Sequence, residues 1–322
     1  MRAFGAAAVL VMIGAVALLI GCGGPTLQAP TFQAQWDGAN SPVGQIDRPE
    51  GLGVDKDGHL LVADTWNDRI LRCDEQGKPV AAFGRAGGGK GEMLRPRSVT
   101  TDRKGNIYVV DCWGQRIEKF SPTGEFLLAF GQKGKPFGND EAKGQFVYPY
   151  GVAVDSKGFI CVSDFNNNRV HRFDPRGKFV MMWGIEGRQD GQFSNPAGLA
   201  IDSKDRLYVC DLGNDRVQRF TFDEHGKAVF DGKWGEPGTD PGQLDHPYTM
   251  CVDKNDNFYV ADFGNHRVQC FSPDGRLQYT CGKRGNGEGE FECPVSLAVD
   301  GKGALYVSDL GNNRVQKFAP RS

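Results

Sequence analysis

Val209-Cys-Asp-Leu-Gly-Asn-Asp-Arg-Val217 is one of six similar segments that decide the fold of this chain. In each copy a strand-like tripeptide ends in Asp, and an Arg follows five residues later. The other copies are VADTWNDRI at 62–70, VVDCWGQRI at 109–117, VSDFNNNRV at 162–170, VADFGNHRV at 260–268 and VSDLGNNRV at 307–315. A motif that recurs at a near-constant interval indicates a repeat architecture.

The repeat length identifies the kind of module. Successive motif Asp residues are 47, 53, 47, 51 and 47 positions apart, which exceeds leucine-rich and helical-hairpin repeats and suits a four-stranded propeller blade. Each unit contains a Pro, a short apolar strand, a polar turn, a second strand, the Asp-to-Arg loop, a third strand, a Gly turn and a fourth strand. Turns such as DKDG and DSKG suit tight hairpins. The sequence therefore predicts an all-β, six-bladed propeller without helices after the first twenty or so residues.

The sixth unit provides three strands, and the fourth is available near the N-terminus. Residues 31–36, TFQAQW, match the fourth strands of the other units. Trp36 occupies the position that is held elsewhere by Phe83, Phe130, Trp183, Trp234 and Cys281. We therefore predict that the N-terminal strand completes the last blade and closes the ring, which removes an otherwise open sheet edge.

The N-terminal segment predicts export and lipid attachment. An uncharged apolar run extends from Ala6 to Ile20, and Leu19-Ile20-Gly21-Cys22 resembles a bacterial lipobox. Such a run suits a signal peptide, and acyl chains on Cys22 would anchor the domain to a membrane. We predict a signal peptide at 1–21, a lipidated Cys22 and tether at 22–30, and the propeller at 31–320. The absence of Asp next to Cys22 resembles the enterobacterial sorting pattern for the outer membrane, which implies that membrane of a bacterial envelope, on either side.

The charge balance restricts the partner class. The full chain has 38 Lys and Arg against 40 Asp and Glu, for a formal net charge of -2. Nucleic-acid binding needs a concentrated positive field, so nucleic acid is not expected as a partner.

Taken together, the motifs resemble the NHL repeat family. The shared pattern is Pro-x-Gly followed by an apolar strand and Asp, then Tyr-Val-x-Asp, and then Asn-x-Arg before the third strand. It covers essentially all of residues 31–320. The resemblance implies a six-bladed β-propeller and says little about function.

The motif Asp and Arg residues are interpreted as structural. A pair that occurs in every blade serves what every blade needs, with Asp capping the turn and Arg bonding to it or to the neighbouring loop. The pairs are Asp64 and Arg69, Asp111 and Arg116, Asp164 and Arg169, Asp211 and Arg216, Asp262 and Arg267, and Asp309 and Arg314.

Function is expected where the repeats differ, beside the repeated Pro. These positions begin the innermost strands and should meet at the mouth of the central channel, where an uneven polar and aromatic ring suits a polar or anionic ligand. The candidate ligand-binding residues are Arg48, Glu50, Arg95, Arg97, Tyr148, Tyr150, His246 and Tyr248, with Asn195, Ala197, Cys293 and Val295 at the remaining positions.

The loops between the second and third strands emerge on the same face, called here the upper face. Aromatic residues in these loops, with nearby Arg, suit a protein interface. They are Trp66, Trp113, Phe165 and Phe263. We therefore predict a monomeric, lipid-anchored, extracytoplasmic scaffold that binds a protein, peptide or glycan through this face.

The alternative is an enzyme with its site at the channel mouth. Peptidyl-hydroxyglycine lyases are propellers that resemble this chain and hold zinc through histidines from several blades. Here only His246 lies beside a repeated Pro, so a tri-histidine site is not supported, although the Arg and Tyr residues would suit such a lyase or a hydrolase. Gluconolactonase-like metal ligands are represented only by Glu50 and Asn195. No cofactor is predicted, and a Ca or Zn ion in the channel stays an open alternative.

Besides Cys22, the chain has eight cysteines. Most replace small or aromatic residues of other repeats, which indicates thiols that fill core space rather than a disulfide framework. The best candidates for a bridge are Cys270, Cys281 and Cys293.

Overall fold

The computed structural model describes residues 28–38, 44–135 and 143–320. These residues form six antiparallel four-stranded sheets, arranged as the blades of a propeller. The innermost strands contact one another from blade to blade around the ring. The prediction of an all-β, six-bladed propeller is confirmed.

From the channel outward, blades one to five use their strands in chain order, and blade six takes its outermost strand from near the N-terminus. Blades one to three contain Pro49–Val54, Leu60–Asp64, Arg69–Cys73 and Pro79–Phe83; Pro96–Thr101, Ile107–Asp111, Arg116–Phe120 and Phe126–Phe130; and Pro149–Val154, Ile160–Asp164, Arg169–Phe173 and Phe179–Trp183. Blades four to six contain Pro196–Ile201, Leu207–Asp211, Arg216–Phe222 and Ala228–Trp234; Pro247–Val252, Phe258–Asp262, Arg267–Phe271 and Leu277–Cys281; and Pro294–Val299, Leu305–Asp309, Arg314–Phe318 and Phe32–Trp36.

The connections between strands are short. Four of the Asp-to-Arg loops contain a single 3-10 turn, at Thr65–Asn67, Phe165–Asn167, Leu212–Asn214 and Leu310–Asn312. A two-residue parallel pair, Gln132–Lys133 with Gln145–Phe146, lies between blades two and three. Within the described ranges, none of the helical segments is long and apolar enough to span a membrane.

Ring closure occurs in the predicted register. The N-terminal strand pairs antiparallel with the third strand of blade six, and Trp36 lies opposite Val315. In blade one Phe83 lies opposite Ile70, and in blade four Trp234 lies opposite Val217, so Trp36 occupies the same place in its blade. The indole packs against Tyr306 at a centroid distance of 6.2 Å. It also covers Gly77 of blade one, where a Cβ atom would overlap the ring.

The core consists of apolar layers between adjacent blades. Second strands contribute buried β-branched and aromatic residues on both faces, as in Ile107–Asp111, because each sheet is covered by a neighbour on either side. All eight cysteines in the described ranges are free thiols, as the sequence interpretation expected. Burial raises the pKa of the Cys73 and Cys161 thiols to about 12, which makes them unreactive at neutral pH.

Candidate functional site

The motif Asp and Arg side chains form an ion pair in every blade. In blade one, Arg69 Nε lies 2.7 Å from Asp64 Oδ2. The other carboxylate oxygen, Oδ1, accepts a hydrogen bond at 2.7 Å from the backbone N–H of Asp47, in the linker that precedes the inner strand. The corresponding Nε to Oδ2 distances in blades two to six are 3.1, 3.2, 2.7, 2.7 and 2.8 Å.

The Arg also binds the linker between blades. Arg314 donates to the backbone carbonyls of Asn286, Gly287 and Glu290 at 2.8, 2.8 and 2.9 Å. Equivalent bonds run from Arg216 and Arg267. Each pair therefore joins the second strand, the third strand and the incoming linker, and its groups are used within the blade.

The residues beside the repeated Pro fall into two sets, those before Pro and those after it. Those before Pro have left-handed backbone, with φ of 50° at Arg48 and 55° at Arg95. Their backbone N–H groups are held by the loop of the preceding blade, since Arg95 N donates to Asp68 Oδ1 at 2.7 Å and His246 N to Asp215 Oδ1 at 2.8 Å. The Arg48 and His246 side chains are exposed, whereas the Tyr148 side chain reaches the channel mouth, where its hydroxyl meets Arg97. The residues after Pro point into the channel mouth, where Glu50 and Tyr150 are buried.

The channel mouth contains a compact polar cluster around Arg97. The guanidinium lies 3.2 Å from Glu50, between Nη1 and Oε2, and donates from Nη2 to the Tyr148 hydroxyl at 3.0 Å. It also lies over the Tyr148 and Tyr150 rings, 4.9 and 5.1 Å from their centroids. Burial raises the pKa of the Glu50 carboxyl, and the Arg97 charge opposes that shift. Below the mouth, the inner strands of all six blades line a cavity of about 270 Å³.

Aromatic rings complete one wall of the mouth. Tyr150 contacts Tyr248 edge-on at 5.2 Å, and Tyr248 stacks on Phe263 at 5.1 Å. Phe165 lies 5.8 Å from Tyr150 and 6.2 Å from Tyr148. Burial raises the pKa of the Tyr150 hydroxyl well above its usual range. Phe165 and Phe263, which were predicted as partner-face aromatics, are half-buried in this wall.

The other two upper-face aromatics are exposed. The side chains of Trp66 and Trp113 are 49% and 58% exposed. The Arg95 guanidinium lies 4.4 Å from the Trp66 centroid and 5.4 Å from the Trp113 centroid, and the Arg48 guanidinium lies 4.8 Å from the Trp66 centroid. We call Arg48, Trp66, Arg95 and Trp113 the Arg–Trp stack.

His246 lies outside the mouth cluster. Its Nδ1 atom is 2.5 Å from Asp245 Oδ1, and its side chain is 56% exposed on the upper surface. Among the described contacts of His246 there is none with Tyr148 or Tyr150, and its convergence with them stays a prediction.

The described residues do not fit a multi-histidine metal site in the channel. Besides His246, the residues before Pro are Arg48, Arg95, Tyr148, Asn195 and Cys293. One cluster of possible metal ligands combines His266, Glu292 and Cys293 on the upper face. There His266 Nδ1 already accepts the Cys293 backbone N–H at 3.1 Å, so its lone pair is used between blades.

Sequence reasoning assigned no role to Cys112. Its side chain is fully buried. Burial raises the pKa of its thiol to about 12, the Arg97 charge opposes that rise, and the Glu50 charge adds to it. It directly follows the motif Asp of blade two, where other blades have Thr, Phe or Leu. The Cys in place of these residues was the sequence feature that could have drawn attention to this position.

Comparisons with known proteins agree with this architecture. The NHL repeat family matches residues 47–73, 146–173, 193–220, 244–271 and 291–318, which are five of the six units. Among solved structures, a streptogramin B lyase superposes with a TM-score of 0.58 at 14% identity, covering 85% of this chain and 93% of that one. A gluconolactonase from Xanthomonas campestris gives 0.63 at 15% identity, covering 91% and 97%. At these identities the likeness concerns the fold alone.

Two curated relatives match in sequence over part of their length. The Drosophila melanogaster protein brain tumor is 27% identical over 140 residues, which are 44% of this chain and 13% of that protein. The Caenorhabditis elegans B-box type zinc finger protein ncl-1 is 32% identical over 143 residues, which are 44% of this chain and 16% of that protein. With five units matched and six blades closed into a ring, the chain belongs to the NHL-repeat proteins and is a six-bladed NHL β-propeller.

Proposed function

We propose that this propeller is a lipid-anchored scaffold of the bacterial cell envelope and binds a protein partner through its upper face. The observation that carries the proposal is the exposure of Trp66 and Trp113 on that face, next to arginines. Large aromatics and Arg dominate the energetics of protein interfaces. A peptide or a glycan is an alternative ligand for the same surface.

Some charged groups are bonded inside the protein and others lie at its surface, and this difference supports a binding role. The motif Arg residues bond to carboxylates and linker carbonyls inside each blade. At the mouth, Arg97 is paired with Glu50. The Arg–Trp stack stays on the surface for a partner, and a closed ring that carries it should lose little entropy on binding.

Photo-crosslinking in the full-length, membrane-anchored protein tests the partner face. We expect a photoreactive phenylalanine analogue at Trp113 or Trp66 to give an adduct of discrete mass with a protein identifiable by mass spectrometry. Leu127, an exposed residue on the outer strand of the same blade, is the matched control position. Failure at both Trp positions, or equal labelling from Leu127, would refute binding through the upper face.

Lipid attachment is tested separately, because Cys22 lies outside the described residues. We expect labelled palmitate to be incorporated into the full-length chain and to be lost in Cys22→Ala, with the propeller released from the membrane fraction. Palmitate labelling that survives this substitution would overturn the assignment of Cys22.

A lyase or hydrolase at the channel mouth is the alternative function. The groups there are largely bonded to one another, since Arg97 holds both Glu50 and Tyr148, and His246 lies outside their cluster. Metal analysis of the purified protein separates the two proposals. Stoichiometric zinc or calcium that disappears in His246→Ala would favour the enzyme over the scaffold.

A further inference from the structure

The Arg–Trp stack is a positively charged and aromatic surface that joins two adjacent blades. Arg48 and Arg95 precede the inner strands of blades one and two, while Trp66 and Trp113 lie in the loops of the same blades. Cation and ring alternate at centroid distances of 4.8, 4.4 and 5.4 Å. Four side chains therefore form one continuous surface in which the guanidinium planes are held by indoles.

The positive charges of the stack are unpaired within the described part of the chain. Arg97, two residues from Arg95, is neutralised by Glu50, and Arg85 is paired with Glu92 at 2.8 Å. Neither Arg48 nor Arg95 forms an ion pair with a described carboxylate, and Asp68 instead accepts the backbone N–H of Arg95. The Nη1 atom of Arg95 is shielded from solvent and has no acceptor among the described residues. A shielded guanidinium N–H without an acceptor is costly, and an incoming anion would satisfy it once the Arg95 side chain turned to expose that atom.

We propose that the Arg–Trp stack binds carboxylate side chains on an acidic, partly apolar segment of the partner protein. This inference rests on the proposed scaffold function and names the chemistry of its partner. A stacked guanidinium keeps its N–H edge available for a carboxylate, which it can bind with two parallel hydrogen bonds. The exposed indoles beside it bury apolar side chains of the same segment.

The number of charges favours a protein segment over a membrane surface. Electrostatic adhesion to anionic lipid needs clusters of about four to eight basic residues, whereas the stack provides two unpaired arginines. The backbone of both arginines is held in place, since Arg48 N donates to Asn313 Oδ1 and Arg95 N donates to Asp68 Oδ1, each at 2.7 Å. A small number of fixed cations suits recognition of individual carboxylates.

Peptide binding to the full-length protein in detergent tests this inference. The probes are a fluorescent peptide of Glu, Leu and Ser, its counterpart in which every Glu is Gln, and vesicles that contain phosphatidylserine. We expect the acidic peptide to bind at least about tenfold more tightly than the Gln peptide, with affinity falling as salt rises. Equal binding of the two peptides, or binding of vesicles without binding of the acidic peptide, overturns the proposal.

Substitutions locate the site. Arg95→Gln should weaken binding of the acidic peptide about tenfold, and Arg95→Lys should weaken it by less, because the charge remains while the planar fork is lost. Arg48→Gln, at an exposed position, gives a second test, and Arg85→Gln is the control that should bind normally. If crosslinking at Trp113 persists while acidic peptide and Arg95→Gln have no effect on it, the carboxylate proposal fails and the scaffold function stands.

Discussion

Blades two and four differ at one buried position of the third strand, and the difference has a pH-dependent cost. In blade four Gln218 donates from Nε2 to Asp211 Oδ2 at 3.0 Å and to the Gln192 carbonyl at 2.7 Å, while its Oε1 accepts from Gly191 N at 2.9 Å. Gln269 and Gln316 make the same three contacts in blades five and six. The neutral amide thus donates to the motif Asp and to a linker carbonyl, and accepts from a linker N–H.

Blade two has Glu118 in that position. Its Oε1 lies 2.7 Å from Arg116 Nε, which is also 3.1 Å from Asp111 Oδ2, so two fully buried carboxyl groups share one guanidinium. Burial, followed by the Asp111 charge, raises the pKa of Glu118 to about 7, although Arg116 opposes the shift. When protonated, Glu118 can donate a hydrogen bond as Gln does. When ionised, it cannot donate. Blade two is also the unit that the NHL repeat family leaves unmatched.

The largest effect on stability is expected when Glu replaces the buried Gln of blade four. Gln218→Glu removes two donated hydrogen bonds and places a second carboxyl beside Asp211, so we expect a loss of about 2–4 kcal/mol in unfolding free energy at pH 8. Urea unfolding measures it. Gln33→Glu, on the exposed outer strand of blade six, is the control. A Gln218→Glu protein as stable as the parent at pH 8 would contradict the role assigned to the amide.

The reverse exchange should repair blade two. The folded pKa of Glu118 lies above its unfolded value of 4.5, so its contribution is complete below pH 4.5 and is lost as pH rises through 7. Glu118→Gln should therefore stabilise the protein by about 1–3 kcal/mol at pH 8 and by much less at pH 4.5.

Unfolding free energies at several pH values test that dependence. Glu125→Gln, which removes an exposed carboxyl from the same blade, should leave the profile unchanged. A stabilisation by Glu118→Gln that is equal at all pH values would rule out ionisation as its cause.

The sequence predicted what the repeats share better than what distinguishes them. Six aligned copies fixed the blade count and the position of Trp36, because a strand must match its neighbours in register to bury the correct face. The channel mouth depended on side-chain direction. The residue before each Pro has left-handed backbone, but its side chain is exposed at Arg48 and His246 and reaches the channel mouth at Tyr148, whereas Tyr150, after Pro, is buried there. Alignment treated both as one ring. It also could not show that Tyr148 and Tyr150 draw Phe165 into the wall while Trp66 stays exposed.

Blade three should show the smallest effect, with the opposite pH dependence. There the position is occupied by His171, which is fully buried. Its Nε2 atom lies 3.4 Å from Asp164 Oδ2. Its ring is stacked on that of Phe173 at a centroid distance of 6.2 Å. Burial lowers the pKa of the imidazole below its usual 6.5, although Asp164 opposes the shift. The unfolded chain therefore takes up the proton more readily, and stability is lost as pH falls below about 6.5. His171→Gln should add about 1 kcal/mol at pH 5 and less at pH 8. With the exposed His225→Gln as control, a gain that is larger at pH 8 than at pH 5 would show that packing, and not protonation, distinguishes blade three from blade four.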